Sequence, residues 1–242
     1  MSAGNLKTLI DDLVAANRIL AEHGVIDGYG HVSIRSPERA DRYYIARSLA
    51  PELVTPDDIM EFDLDSNPID QRGREMYTER YIHGELFHSR PDVNAVVHNH
   101  SPSVIPFGSA GVPLRPMYHM SGFVGSGIPV FEIRDTAGDK TDLLIRDRPL
   151  GRALARCVAG CPAALMRGHG AVVVADSVPL VVGRSIYLEM NARLQMQAMM
   201  IAGPAGSVTY LSEGEVQASF ATQNYKRAWE MWRRKALAPL GK

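Results

Sequence analysis

The 242-residue chain has little cysteine, almost no net charge and no long apolar run. Its two cysteines, Cys157 and Cys161, are four apart, which on a helix would put them on one face. They suit neither the disulfide framework of a secreted domain nor a zinc ribbon. Lys and Arg number 26 against 27 Asp and Glu, for a formal charge of −1. That balance excludes a strongly basic nucleic-acid surface and offers nothing to an anionic lipid surface, so neither nucleic acid nor membrane is expected as a partner. No apolar run approaches the roughly 18 residues of a membrane span, and MSAGNLKTLIDDL lacks the apolar core of a signal peptide. A cytoplasmic protein is the expectation. Low-complexity tracts, linkers and internal repeats are also missing. With 45% apolar and 22% charged residues the composition is that of an ordinary globular protein, and residues 1–242 are read as a single domain.

Periodicity supplies the elements. Residues 5–24 carry Leu6, Leu9, Ile10, Leu13, Val14, Ile19 and Leu20 at helical spacing, stopped by Gly24. Strand-like stretches at 31–35, 43–46 and 59–64 are separated by the turn-rich SPERAD and SNPID. Thr78 opens a helix that runs to residue 89. AVVHNH is a compact apolar strand with two histidines at its C-terminal end. A short helix at 103–109, a strand at 127–133 and a helix at 148–158 follow, then a strand pair over 163–175 turning at Gly168-His169-Gly170. The longest helix is predicted over 179–201, with an apolar stripe of Val182, Ile186, Met190, Leu194, Ala198 and Ile201, and a last helix over about 213–235. Met190, Met196, Met199 and Met200 read as core or interface filler. Trp229 and Trp232 of WEMWRRK read as packing on a neighbouring subunit. Strands that follow one another without intervening helices predict an α/β domain with a mixed or largely antiparallel sheet.

Chemistry concentrates in the histidines. His98 and His100 are two apart on a strand, so both side chains point to one face. His169 lies between two glycines, where a tight turn can bring in a third imidazole. HNH alone is equally readable as chance or a polar core pair. Together with Gly-His-Gly it favours a metal site with open coordination positions, three neutral imidazoles being the donor set of a catalytic rather than a closed structural ion. Glu79, at the start of the helix before this strand, has two readings: an acid favoured by the helix dipole, or a carboxylate beside the metal acting as ligand, base or acid. His83, Glu85 and His88 are read as surface or interface residues.

The segment from Glu79 through HSRPDVNAVVHNHSP, followed by MRGHGAVVV, resembles the class II (metal-dependent) aldolase and adducin-head family, and the likeness covers nearly the whole chain. The resemblance implies a three-layer α/β/α domain with a central, mainly antiparallel sheet. It places His98, His100 and His169 on the family's metal ligands and Glu79 on its catalytic acid/base. It also implies one divalent metal per subunit (Zn²⁺, Mn²⁺, Fe²⁺ or Co²⁺) and a homotetramer with active sites between subunits. A non-catalytic scaffold like the adducin heads is disfavoured, because those have lost the metal histidines.

The chain departs from the family's sugar-phosphate aldolases where they hold phosphate. Gly30-His31, Arg47-Ser48-Leu49-Ala50-Pro51 and Tyr77-Thr78 stand where those enzymes have Gly-Asn, a Thr/Ser-Gly pair and Ser-Ser. An imidazole and a phenol serve a compact dianion poorly. Tyr77, Tyr118 and Phe123 suit a flat ring. His119 stands in place of the family's catalytic Tyr. GHVSIRSP, ARSLAPELV and HNHSPSVIPFG are similar to the branch that decarboxylates hydroxylated aromatic or pyridine dicarboxylates. The function expected is therefore metal-dependent decarboxylation of a hydroxylated aromatic or heteroaromatic (di)carboxylate, the metal-bound oxygen being the electron sink. Glu79 or His119 would handle the proton. Arg47 and Ser48 would grip a carboxylate, with His31, Ser33, Tyr77 and Tyr225 as further substrate contacts. Arg47 reads equally as an ion-pair partner, and His31 and Ser33 equally as core hydrogen-bonding residues. The alternatives are aldol cleavage or dehydration of a small hydroxy-carbonyl compound, and iron-dependent oxygenation.

Overall fold

The computed structural model describes residues 3–238. Helix α1 (Ala3–Glu22) is closed by Gly24, whose φ of +65° supplies the left-handed turn that ends it. Strands β1 (His31–Arg35), β2 (Arg42–Ala46) and β3 (Ile59–Asp63) form an antiparallel meander. Then come α2 (Arg80–Ser89), β4 (Ala95–Asn99), α3 (Ile105–Ser109), a 3₁₀ segment at His119–Val124, β5 (Val130–Phe131) and α4 (Arg134–Ala137). Helix α5 (Arg148–Val158) leads into the hairpin β6 (Ala163–Met166) and β7 (Gly170–Ala175). Helices α6 (Val178–Ala202), α7 (Glu213–Ala221) and α8 (Lys226–Ala236) complete the described chain.

The seven strands make one sheet in the order β3-β2-β1-β4-β7-β6-β5, antiparallel except at β5–β6. β1 and β4 are buried at every position, as central strands covered on both faces must be. Alternation along them sorts two cores. Val32, Ile34, Val97 and Val173 pack with Leu13 and Ile19 of α1, Val182 and Ile186 of α6, and Trp229 and Trp232 of α8. Tyr43, Ile45, Val96 and Val172 pack with Ile82 and Leu86 of α2 and Leu154 of α5. The architecture is the three-layer α/β/α domain expected from the resemblance. The same alternation turns His31, Ser33 and His98 to the α2/α5 face, with His31 directly opposite His98 in the β1–β4 register.

Several local expectations change. The strand expected at 127–133 is reduced to Val130–Phe131, since Pro129 has no N–H to give and Gly127 sits at φ +138°. The last helix is two, broken where Tyr225 takes a left-handed conformation (φ +50°) and donates its hydroxyl to the Met120 carbonyl. Gly183 of α6 makes room for that ring, because a Cβ there would lie 2.1 Å from it. Trp229 and Trp232 are buried against the chain's own α1 and α6 rather than a neighbour, with His23 edge-on to Trp232. On α6 the apolar stripe is buried only in its first half. Ile201 and Met200 are exposed, while Asn191 and Gln195 are sealed inside. Cys161 lies beyond the end of α5 and does not share a helical face with Cys157; both thiols are free.

Candidate metal centre

Four side chains from three places converge at the end of the central strands: Glu79 at the mouth of α2, His98 from β4 with His100 just past its end, and His169 from the β6–β7 turn. Their ligand atoms all lie within 4.8 Å of one another. The turn explains its own glycines. Gly168 adopts φ +65°, and a Cβ on Gly170 would sit 1.9 Å from the Asn99 carbonyl oxygen. Only glycine lets the turn close onto the end of β4, and that closure carries His169 to the other two imidazoles.

Hydrogen bonds set the tautomer of every histidine in the cluster. Nδ1 of His98 lies 3.2 Å from the Ala171 carbonyl, Nδ1 of His169 3.0 Å from the Leu143 carbonyl, and Nδ1 of His100 3.2 Å from an Asp27 carboxylate oxygen. These partners can only accept, so each Nδ1 carries the proton and each Nε2 offers a lone pair. The lone pairs face one another: Nε2 of His169 is 3.2 Å from that of His100. Oε2 of Glu79 is 3.4 Å from Nε2 of His98 and 3.5 Å from that of His169. Nε2 of His98 is buried and has no hydrogen-bond partner. Four converging acceptors repel unless a cation lies among them, so the residues fit a divalent metal with imidazole and carboxylate donors. Oε1 of Glu79 is held from behind by the Ile145 amide at 2.9 Å.

The same groups also shift one another's acidity. Burial alone would raise the Glu79 carboxyl, but the imidazoles of His98 and His169 outweigh it and hold it far below the usual carboxylate range. Burial works against a charged His169, yet the Glu79 carboxylate raises it above the ordinary histidine value. His100 is lowered by burial and by its two histidine neighbours, against the pull of Asp27.

His31 packs beside the cluster, its ring centroid 5.1 Å from that of His98 and 4.6 Å from that of Tyr77. Tyr77 donates its hydroxyl to the Leu49 carbonyl at 2.6 Å. Arg47 pairs through Nε with Asp58 at 2.6 Å, the ion pair the sequence left open. Ser48 is half-buried, and its amide donates to the Glu75 carbonyl. Ser33, on the same face, bonds His83 and none of the four cluster residues. His83 and Glu85 are not surface residues: both are buried, His83 against Ser33 and His31, Glu85 paired with Arg148. His88 is exposed as expected.

His119 and Tyr225 fall elsewhere. They line a separate cavity of about 460 Å³ with Tyr187 and Gln223, and none of the four cluster residues lines it. His119 is exposed, whereas Tyr225 is closed over by α6. Phe123 is sealed in the α1/α6 core and Tyr118 packs on Tyr187, so within one chain neither stands ready to stack on a ring at the cluster. Sequence reasoning missed Asp27, Leu143 and Ile145, which hold His100, His169 and Glu79 in place. Two of them act through backbone atoms, and Asp27 is 73 positions from its histidine, so no spacing could have marked them.

The chain belongs to the Class II Aldolase and Adducin N-terminal domain family, which it matches over residues 11–196. Its relatives include decarboxylase tropJ of Talaromyces stipitatus, 36% identical over 240 residues covering 90% of each chain. A 3,4-dihydroxyphthalate decarboxylase of Arthrobacter keyseri is 29% identical over 90% of this chain and 89% of its own. Among solved structures, an L-fuculose 1-phosphate aldolase from Glaciozyma antarctica PI12 superposes with a TM-score of 0.74 at 24% identity, covering 94% of this chain and 86% of that one. This last likeness speaks for the fold alone. No helix among the described residues is long and apolar enough to cross a membrane.

Proposed function

We propose that the protein is a metal-dependent decarboxylase of a hydroxylated aromatic or heteroaromatic (di)carboxylate. The observation that carries the reading is the wall beside the cluster, which is built of the packed His31 and Tyr77 rings in place of small polar groups, so that it presents ring edges to a flat substrate and no cradle to a compact dianion. Two relatives named as decarboxylases support it. Arg47, whose terminal nitrogens make no hydrogen bond among the described residues, can hold a substrate carboxylate while Asp58 fixes its Nε, and Ser48 lies next to it.

Glu79, His98, His100 and His169 would hold the ion. When bound, a divalent metal supplies Lewis acidity that draws electron density towards the substrate's ring oxygen. Glu79 takes the hydroxyl proton of the substrate and returns it to the ring carbon. The bond from that carbon to the carboxylate breaks, carbon dioxide leaves, its electron pair stays on the ring, and the phenolate regains a proton from water. The assembly proposed is a tetramer with active sites between subunits, in which the exposed His119 of a neighbour can reach the site as a second proton carrier.

Metal-loaded protein incubated with 3,4-dihydroxyphthalate should release carbon dioxide, and the release should vanish with a chelator and in His98→Ala or His169→Ala. Cleavage of a sugar phosphate with hydroxyphthalates left intact would replace this reading with aldol cleavage. Oxygen uptake during turnover would replace it with oxygenation.

A further inference from the structure

Behind the wall of the site lies a buried hydrogen-bonded file that the proposed chemistry leaves unused. Oγ of Ser33 is 2.5 Å from Nδ1 of His83, and Nε2 of His83 is 2.6 Å from Nδ1 of His31. Ser33 and His83 are completely sealed, and His31 is 2% exposed. The other nitrogen of His31, Nε2, makes no hydrogen bond to any described residue, and the ring lies beside His98 and Tyr77.

The file can be wired in two directions. If His83 donates from Nδ1 to Ser33, the serine hydroxyl proton is left without an acceptor in a place water cannot reach, since Ser33 has no other side-chain partner among the described residues. If Ser33 donates to Nδ1 of His83, every proton between the three residues is used: His83 carries its hydrogen on Nε2 and gives it to Nδ1 of His31. The one hydrogen left over, on Nε2 of His31, lies at the site end of the file and not behind the sealed serine. Both rings are neutral. His83 is completely buried and His31 almost so, which favours the uncharged form of each.

We infer that Ser33 and His83 are positioning residues that lock His31 in the Nε2–H tautomer, making it a neutral hydrogen-bond donor facing the metal centre for a carboxylate or ring oxygen of the substrate. The wiring stands on geometry alone; the identity of the acceptor rests on the proposed function. The direction matters chemically. The opposite tautomer would present a lone pair to an anionic substrate and repel it, as the four converging acceptors of the cluster would without their ion. A neutral donor also recognises a carboxylate without bringing a second cation next to a metal.

The test reads the tautomer directly. The full chain, loaded with zinc and labelled with ¹⁵N in its imidazoles, is examined by long-range ¹H–¹⁵N correlation. The two rings are assigned through His31→Gln and His83→Gln. His31 and His83 should both show a protonated Nε2 and an unprotonated Nδ1. Ser33→Ala should mix the tautomers of both rings, and Ser33→Thr, which keeps the hydroxyl, should restore them. Phthalate, as a non-hydroxylated probe, should bind Ser33→Ala roughly tenfold more weakly than wild type, with Thr recovering the loss. A purely structural role for Ser33 would lower stability without moving the tautomer signals. A proton on Nδ1 of His31 in the wild-type protein overturns the inference. Correct tautomers in a protein that neither binds phthalate nor releases carbon dioxide would leave the wiring standing and refute the substrate reading.

Discussion

Each of the three clustered histidines ends in an acceptor of a different kind: a strand carbonyl for His98, a loop carbonyl for His169 and a carboxylate for His100. Two of these anchors are backbone and cannot be removed by substitution. Asp27 can. It also accepts the amide of Tyr29, so the carboxylate is itself held in place. Removing it frees the His100 ring to rotate and to exchange tautomers. Asp27→Ala should therefore weaken zinc binding by about 10- to 100-fold, read by competition against a chromophoric chelator, with the fold unchanged by circular dichroism. Unaltered affinity would mean that packing alone orients His100. The glycines flanking His169 act at the same scale. One supplies a left-handed backbone and the other a missing Cβ, and together they decide where the imidazole points.

At the scale of elements, the most informative departure is in α6. Its buried face carries Asn191 and Gln195, four apart, each serving a loop rather than a core. Asn191 accepts from the Met117 amide and donates to the Arg115 carbonyl, both at 2.8 Å. Gln195 accepts from the Arg115 amide at 2.8 Å and donates to the Pro113 carbonyl at 2.9 Å. The two side chains take the place of a neighbouring strand for a segment that has none, and pair its part-buried backbone groups. That segment leads into His119–Val124, so the helix fixes the position of His119. Asn191→Leu orphans the Met117 amide and the Arg115 carbonyl, both part-buried, and should lower stability by about 1–3 kcal/mol in urea unfolding of the metal-loaded protein. Gln197→Ala, on the exposed side of the same helix, should change it by less than roughly 0.5 kcal/mol. Similar losses in the two variants would remove this account of the loop.

For the whole molecule, the buried histidines make stability depend on pH. His83 is held neutral by burial, with His31, His98, Glu79 and the Tyr43 ring around it, and its pKa in the folded chain is about 3. The unfolded chain gains that proton near the ordinary histidine value of 6.5, so it binds more protons than the folded one between the two values. Stability from this group is thus complete above about 6.5 and is lost as pH falls towards 3. Wild type should lose stability across pH 6.5 to 4 more steeply than His83→Gln, by up to about 1.4 kcal/mol per pH unit, compared in chelator so that proton competition for the metal does not enter. Parallel pH profiles for the two proteins would contradict a neutral His83. The exposed Met200 and Ile201 at the end of α6 and the exposed Tyr29 add apolar surface that the proposed tetramer could cover.

Much of this was legible in the chain itself. The period-two run AVVHN, the Gly-His-Gly turn and the apolar helix at the N-terminus are local patterns whose physics acts over a few residues. They were enough to locate the sheet and the three histidines, while the layered α/β/α arrangement was legible only through the family resemblance. Glu79 stood between two readings until folding placed it within reach of His98 and His169. The remainder depended on contacts between residues far apart in sequence. Asp27 reaches His100, His83 is enclosed between β1 and α2 and bonds Ser33 and His31, and Tyr225 breaks a helix to lie on Gly183. Periodicity records which face of an element is buried. It does not record which distant atom waits there, and so the wiring of the histidines was decided only when the strands paired and the helices closed over them.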